Sequence, residues 1–236
     1  MPFGDGLTAS PATIPRRDPS ILTLTDCLRS FARRPSPPVL AATVLVALAV
    51  RLALGSWSWR DALMAAALLA LTPPVEWAIH AVLLHARPLR LRGSEWELLA
   101  AREHRAHHEA PSNLDGVLLP RYAIGIFIAL IALTVWVLSF PIAVVIGGDR
   151  LAWAATGVVV SLAIVGAYEW CHFLIHTPYR PRSRYYRAVW RGHRLHHFKN
   201  ERYWFGVTSP VGDRLLGTAP DPRRVPRSAT ARTLRS

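Results

Sequence analysis

Cysteine is nearly absent: Cys27 and Cys171 are the only thiols in 236 residues, too few for a disulfide framework or a thiolate metal cluster. Lysine is scarcer still, with Lys199 alone among 28 basic side chains, and carboxylates number 15, leaving a formal charge of +13. That excess invites a nucleic-acid reading, but no nucleic-acid-binding motif accompanies it, and no such partner is expected. No cleavable leader is expected either. Residues 1–38 are rich in proline, arginine and serine without a long apolar core, so they read as a flexible basic segment. Residues 219–236, again rich in arginine and proline, read as a disordered basic tail.

Apolar residues are plentiful, 51% of the chain. To coexist with so many arginines they must be segregated, and four stretches stand out: Val39–Trp57, Leu63–Leu84, Tyr122–Ile146 and Leu151–Ile175. Each approaches the roughly 20 residues that a helix needs to cross a hydrocarbon core. Four all-round apolar helices would leave a soluble domain of this size with too little polar cover. Pro73, Pro74 and Pro141 are expected to kink the second and third spans.

The arginines set an orientation. Five precede the first span, five lie between the second span and Arg121, and 14 basic residues follow Tyr179, whereas the two opposite connections hold only Arg60 and Arg150. By the positive-inside rule both termini are cytoplasmic in a multi-pass inner (plasma) membrane protein, with Trp57, Trp59 and Trp153 marking the outer interface. Both cysteines then lie on the reducing side.

All ten histidines fall into four clusters: His80 and His85; His104, His107 and His108; His172 and His176; His193, His196 and His197. A loose pair followed by His-x-x-His-His occurs twice, and all four clusters fall at or beyond the cytoplasmic ends of spans. Positions i, i+3 and i+4 share a helix face, so each triple can aim its rings at one point. His80 and His85 are about 140° apart on an ideal helix, so the helix is expected to end or distort near His85. Ten imidazoles exceed one transition ion's capacity, which favours a single composite site for two metals. Glu76 precedes His80 by four residues and Glu169 precedes His172 by three; both are expected to accept ring N–H groups and fix the imidazole tautomers. The alternative for each is a helix-end charge that reaches for water.

The boxes His80-x4-His85, His104-x2-His107-His108, His172-x3-His176 and His193-x2-His196-His197 resemble those of the fatty acid hydroxylase and sterol desaturase superfamily. The stretches His104–Pro120 and His193–Thr218 are most similar to its fatty acid 2-hydroxylase branch, in a bacterial form without a fused haem domain. The resemblance covers roughly Thr72 to Thr218. It departs at Val211-Gly212-Asp213, where such members place a tryptophan before the late aspartate. It implies an all-α integral membrane fold, four transmembrane helices with a cytoplasmic helical cap carrying the dimetal site, and a hydroxylase domain over residues 39–218. It also implies two iron ions, with zinc a possible occupant after purification, O2 as co-substrate, a lipid or fatty acyl substrate and an external electron-transfer protein. Asp115, in the Asp-Gly after the first triple, joins Glu76 and Glu169 as an expected supporting carboxylate. The segment Phe205–Pro210 reads either as a turn or as a substrate-lining wall. Sterol or carotenoid ring hydroxylation and lipid desaturation use similar boxes, and a membrane metal sensor or transporter is the non-enzymatic alternative.

Overall fold

A computed structural model describes residues 23–234. Helix α1 (Leu24–Ala32) opens on a reciprocal cap, in which the Thr23 hydroxyl accepts from the Asp26 N–H and the Asp26 carboxylate accepts from the Thr23 N–H. Part of the segment read as flexible is therefore helical, while residues 1–22 lie outside the described residues. Helices α2 (Ser36–Leu54), α3 (Trp59–Ala78), α5 (Arg121–Ile146) and α6 (Arg150–His176) correspond to the four apolar stretches. All four are long and apolar enough to cross a membrane. Exposed side chains such as Leu45, Leu69, Leu133 and Val145 cover their outer faces, a surface that suits lipid and not water. The protein is an all-α membrane protein.

The spans are tied by short reversals. Gly55 and Gly147 end α2 and α5 at φ +60° and +74°, a region that glycine enters without steric cost. Ser58 and Asp149 then cap the next helices by accepting from their first N–H groups. Helix α3 runs on through Pro73 and Pro74, and α5 through Pro141.

Helix α6 is the central pillar, packed against α2, α3 and α5. At the end away from the histidines, the Arg51 guanidinium is 1% exposed. It donates to Asp61 Oδ1 (2.7 Å), Thr156 Oγ1 (2.6 Å) and the Gly55 carbonyl (2.5 Å), and lies 3.7 Å over the Trp57 ring. One buried cation thus joins α2, α3 and α6. Trp57 and Trp59 are exposed at this end as expected of interface markers, but Trp153 is only 4% exposed: it faces the protein, its indole lying beside Gly148.

The opposite end carries a cap. An antiparallel hairpin of β1 (Leu89–Leu91) and β2 (Ser94–Trp96) leads into α4 (Leu99–Glu109), while α7 (Arg184–Phe198) and the short α8 (Val211–Leu215) follow α6. Helix α8 packs on α3 so closely that a Cβ on Gly212 would strike the Pro73 carbonyl. No side chain larger than that of glycine has room there.

Residues 219–234, read as a disordered tail, form an extended strap across the cap. Lys199 Nζ donates to the Pro222 carbonyl (2.5 Å), the Ser228 N–H to the Lys199 carbonyl (2.8 Å), and Ser228 and Thr230 hydroxyls to buried Glu201. Arg232 donates to the carbonyls of His108 and Glu109. Arg232, which read as tail charge, thus satisfies carbonyls at the end of α4.

Candidate metal centre

The ten histidines meet at one end of the bundle, nine of them buried and His85 partly so. The distortion expected near His85 is a π-helical turn, Ile79–Leu84, that continues α3. A π turn takes an extra residue, so positions five apart are brought toward a common face and His80 and His85 can act together.

The rings sort into two sets of five. His80, His85, His104, His108 and His196 form one; His107, His172, His176, His193 and His197 form the other, and within each set the ligand atoms all lie within 4.8 Å of one another. Neither triple converges on a single point, as its spacing had suggested. On a helix i and i+4 are about 40° apart, while i+3 lies about 60° to the other side of i. Hence α4 gives His104 and His108 to the first set and His107 to the second, whereas α7 gives His193 and His197 to the second and His196 to the first. Each pair-and-triple half of the sequence builds one set and lends one histidine to the other. That exchange interlocks the two halves, and the His108 and His197 rings stack between the sets at a centroid distance of 4.0 Å.

Backbone carbonyls fix the tautomers. Nδ1 of His80, His108, His172 and His196 lies 2.5, 2.8, 3.0 and 2.9 Å from the carbonyls of Phe205, Ala231, Val117 and Tyr203. A carbonyl only accepts, so each Nδ1 carries the proton and each Nε2 presents a lone pair. In the first set the Nε2 atoms run His80–His104–His85–His196 at 3.1, 3.1 and 3.2 Å. Both ends of that row are lone pairs. Four neutral rings cannot then alternate donor and acceptor, so at least one contact opposes like poles unless a cation sits among them. In the second set, His193 Nε2 faces His172, His176 and His197 at 3.1, 3.1 and 3.0 Å and has at most one proton to share among three neighbours. His107 has two buried ring nitrogens without a hydrogen-bond partner among the described residues. Donors at right angles on an ion with bonds of about 2.1 Å are about 3.0 Å apart, and opposite donors about 4.2 Å. Both sets fit transition ions, with imidazole as the donor and no thiolate nearby.

Electrostatics agree. Burial, aided by neighbouring rings, holds His104, His107, His193, His196 and His197 well below the usual histidine range. Burial lowers His85 to about 2 and His108 to about 3, the latter against the opposing pull of the Ala231 carbonyl. At neutral pH these rings are uncharged and free to ligate.

The carboxylates serve the site differently from what their spacing suggested. Glu76 accepts from the N–H groups of Val207 and Thr208 and from the Thr208 hydroxyl. Asp213 accepts from the N–H groups of Phe205 (2.8 Å) and Gly206 (2.7 Å). Between them they hold the loop whose Phe205 carbonyl receives the His80 proton. Glu169 accepts from the Leu119 N–H (2.8 Å) and the Ser36 hydroxyl (2.9 Å), steadying the loop whose Val117 carbonyl receives the His172 proton. Neither glutamate accepts a ring N–H; each acts one step out, through a loop carbonyl. Asp115 stands away from the rings, 76% exposed at its side chain and paired with Arg34. The Phe205 ring packs 5.3–5.5 Å from those of His80, His85 and His196. Sequence reasoning missed the four carbonyl acceptors, which carry no side-chain signal, and the strap that supplies one of them.

A four-span bundle closed at one end by two five-histidine sets, each able to hold a metal ion, defines a class, the histidine-box membrane proteins. Within it, this chain belongs to the fatty acid hydroxylase family, whose model matches residues 65–218. It is similar to a solved structure described as full-length Scs7p with only the hydroxylase domain visible, with a TM-score of 0.64 and 23% identity over 82% of this chain and 68% of that one. At that identity the likeness is one of fold. No curated protein matches the chain.

Proposed function

We propose that the protein hydroxylates the acyl chain of a membrane lipid near its carboxyl end, at carbon 2, using O2 and two electrons from an external electron-transfer protein. The balance is R–H + O2 + 2e⁻ + 2H⁺ giving R–OH + H2O. The observation that carries the reading is the division of ten histidines into two adjacent five-donor sets without a thiolate, in a chain of the fatty acid hydroxylase family. A pair of iron ions held by the two histidine sets would supply the reduction of O2 that redox-inert zinc cannot.

The chain's own residues do the rest. Four backbone carbonyls keep Nε2 lone pairs turned inward. Neutral, buried imidazoles would add no charge of their own to a site that takes up two cations. Apolar faces of α3 and α6 admit the acyl chain from the bilayer, and Phe205, against three histidines of the first set, forms a water-excluding wall beside the reacting carbon. The arginine-rich end of the bundle lies in the cytoplasm and keeps the lipid head at the interface, so the first acyl carbons reach the depth of the histidines.

Iron-loaded protein given a reductant and labelled O2 is expected to place one labelled oxygen at carbon 2 of a lipid acyl chain, read by mass spectrometry. Label on a sterol or carotenoid ring, an alkene product, or no label in lipid would overturn the assignment.

A further inference from the structure

A second feature lies partly outside the stretch matched by the family model, away from the histidines. Between α1 and the segment that enters α5 is a cleft of about 840 Å³ lined by Arg29, Arg33, Arg34 and Arg121 with Asp26 and Asp115. Arg34 is committed to Asp115. Arg29, Arg33 and Arg121 have no ion pair or side-chain hydrogen bond among the described residues. The cleft therefore carries four guanidinium groups against two carboxylates, and that excess of positive charge is stabilised by an anion between the arginines.

The surroundings say what kind of anion. One wall is α1, whose Phe31 packs at 5.1 and 5.4 Å on Trp170 and Phe173, with Leu24 and Leu28 left 49% and 55% exposed. Amphipathic helices of this make lie along a membrane surface. The chain enters one span at Ser36, just after Arg34, and another at Arg121 itself. Below the arginines, Val39, Tyr122 and Ile126 are exposed on those spans. The cleft therefore offers cations at the head-group level and apolar surface directly beneath.

We propose that this cleft binds the phosphate of an anionic membrane lipid, with Arg29, Arg33 and Arg121 as its ligands and the starts of α2 and α5 against its tails. The site is separate from the histidines: the other side of its Leu114–Pro120 wall carries the Val117 carbonyl that holds His172. It does not depend on the reaction assigned above.

The test uses full-length protein in bilayers of phosphatidylcholine alone or doped with phosphatidylglycerol, with bound lipid counted by native mass spectrometry. Phosphatidylglycerol is expected to be retained in preference to phosphatidylcholine. Substituting Arg29, Arg33 and Arg121 together by Gln is expected to weaken retention about a hundredfold, about fivefold for each arginine near a phosphate, and substitution by Lys to restore most of it. Should the triple variant lose its fold, judged by metal content and melting, Arg121→Glu alone is expected to abolish the preference. Arg87→Gln, Arg90→Gln and Arg92→Gln together should leave retention unchanged. Equal retention of both lipids, equal loss in the two triple variants, or displacement of the lipid by inorganic phosphate alone would overturn the proposal.

Discussion

Glu76, near the end of α3, and His80, in the π-helical turn that continues it, are coupled through a loop to which neither belongs: Glu76 holds the N–H groups of Val207 and Thr208, and the Phe205 carbonyl two residues earlier lies 2.5 Å from His80 Nδ1. Removing the carboxylate frees the loop and with it the proton that keeps Nε2 a ligand. Glu76→Leu is expected to weaken metal binding by about 10- to 100-fold, with Glu76→Gln, which keeps one acceptor oxygen, in between. Chelator competition measures this, and an unchanged affinity in Glu76→Leu would disconnect the loop from the site.

The strap makes a parallel case on the first histidine set. Its Ala231 carbonyl is the acceptor for His108 Nδ1, and Arg232 holds the end of α4. Truncation after Thr218 is expected to lower metal occupancy of the set containing His108 and to open α4 to proteolysis, leaving the four spans intact. Metal content and protease mapping of purified protein check it.

Metal-free protein should be acid-sensitive. His85 and His108 are lowered to about 2 and about 3 in the fold, whereas histidines of an unfolded chain titrate near 6.5. Between those values the unfolded state binds more protons, so stability rises with pH and is lost as pH falls below about 6.5. Melting of chelator-stripped protein across that window is expected to show the slope. A flat profile would mean that the rings are not held neutral by the fold.

Much of this was legible beforehand and some was not. Apolar runs mark the spans because lipid tolerates no mixed surface, and the repeated pair-and-triple spacing marks the two ligand sets. The exchange of His107 and His196 was hidden, since one-dimensional spacing does not say which of two neighbouring points a ring faces. Glu76 and Glu169 stood on the correct helix faces, but their partners are backbone N–H groups that no residue type announces. The strap was misread because arginine and proline resemble disorder until the carbonyls they meet are known. Asp115 was carried by the resemblance, and its partner Arg34 lay in a segment read as flexible.

Far from the histidines, Arg51 and Asp61 form a buried pair within the bundle. Arg51→Leu leaves the carboxylate unpaired, and Asp61→Leu leaves the guanidinium so; each is expected to cost about 3–5 kcal/mol, and the two together much less than the sum. Denaturant unfolding in detergent measures the cycle, with additivity of the two losses as the contrary result.

The central claim is that two metals are each held by five histidines, with one ligand exchanged between the halves of the sequence. Elemental analysis of the purified full chain tests it most directly. Intact protein is expected to hold about two metals; a variant lacking His85, His104 and His196 about one, and a variant lacking His172, His176 and His193 about one. One metal in the intact protein, or two in either variant, would contradict the account.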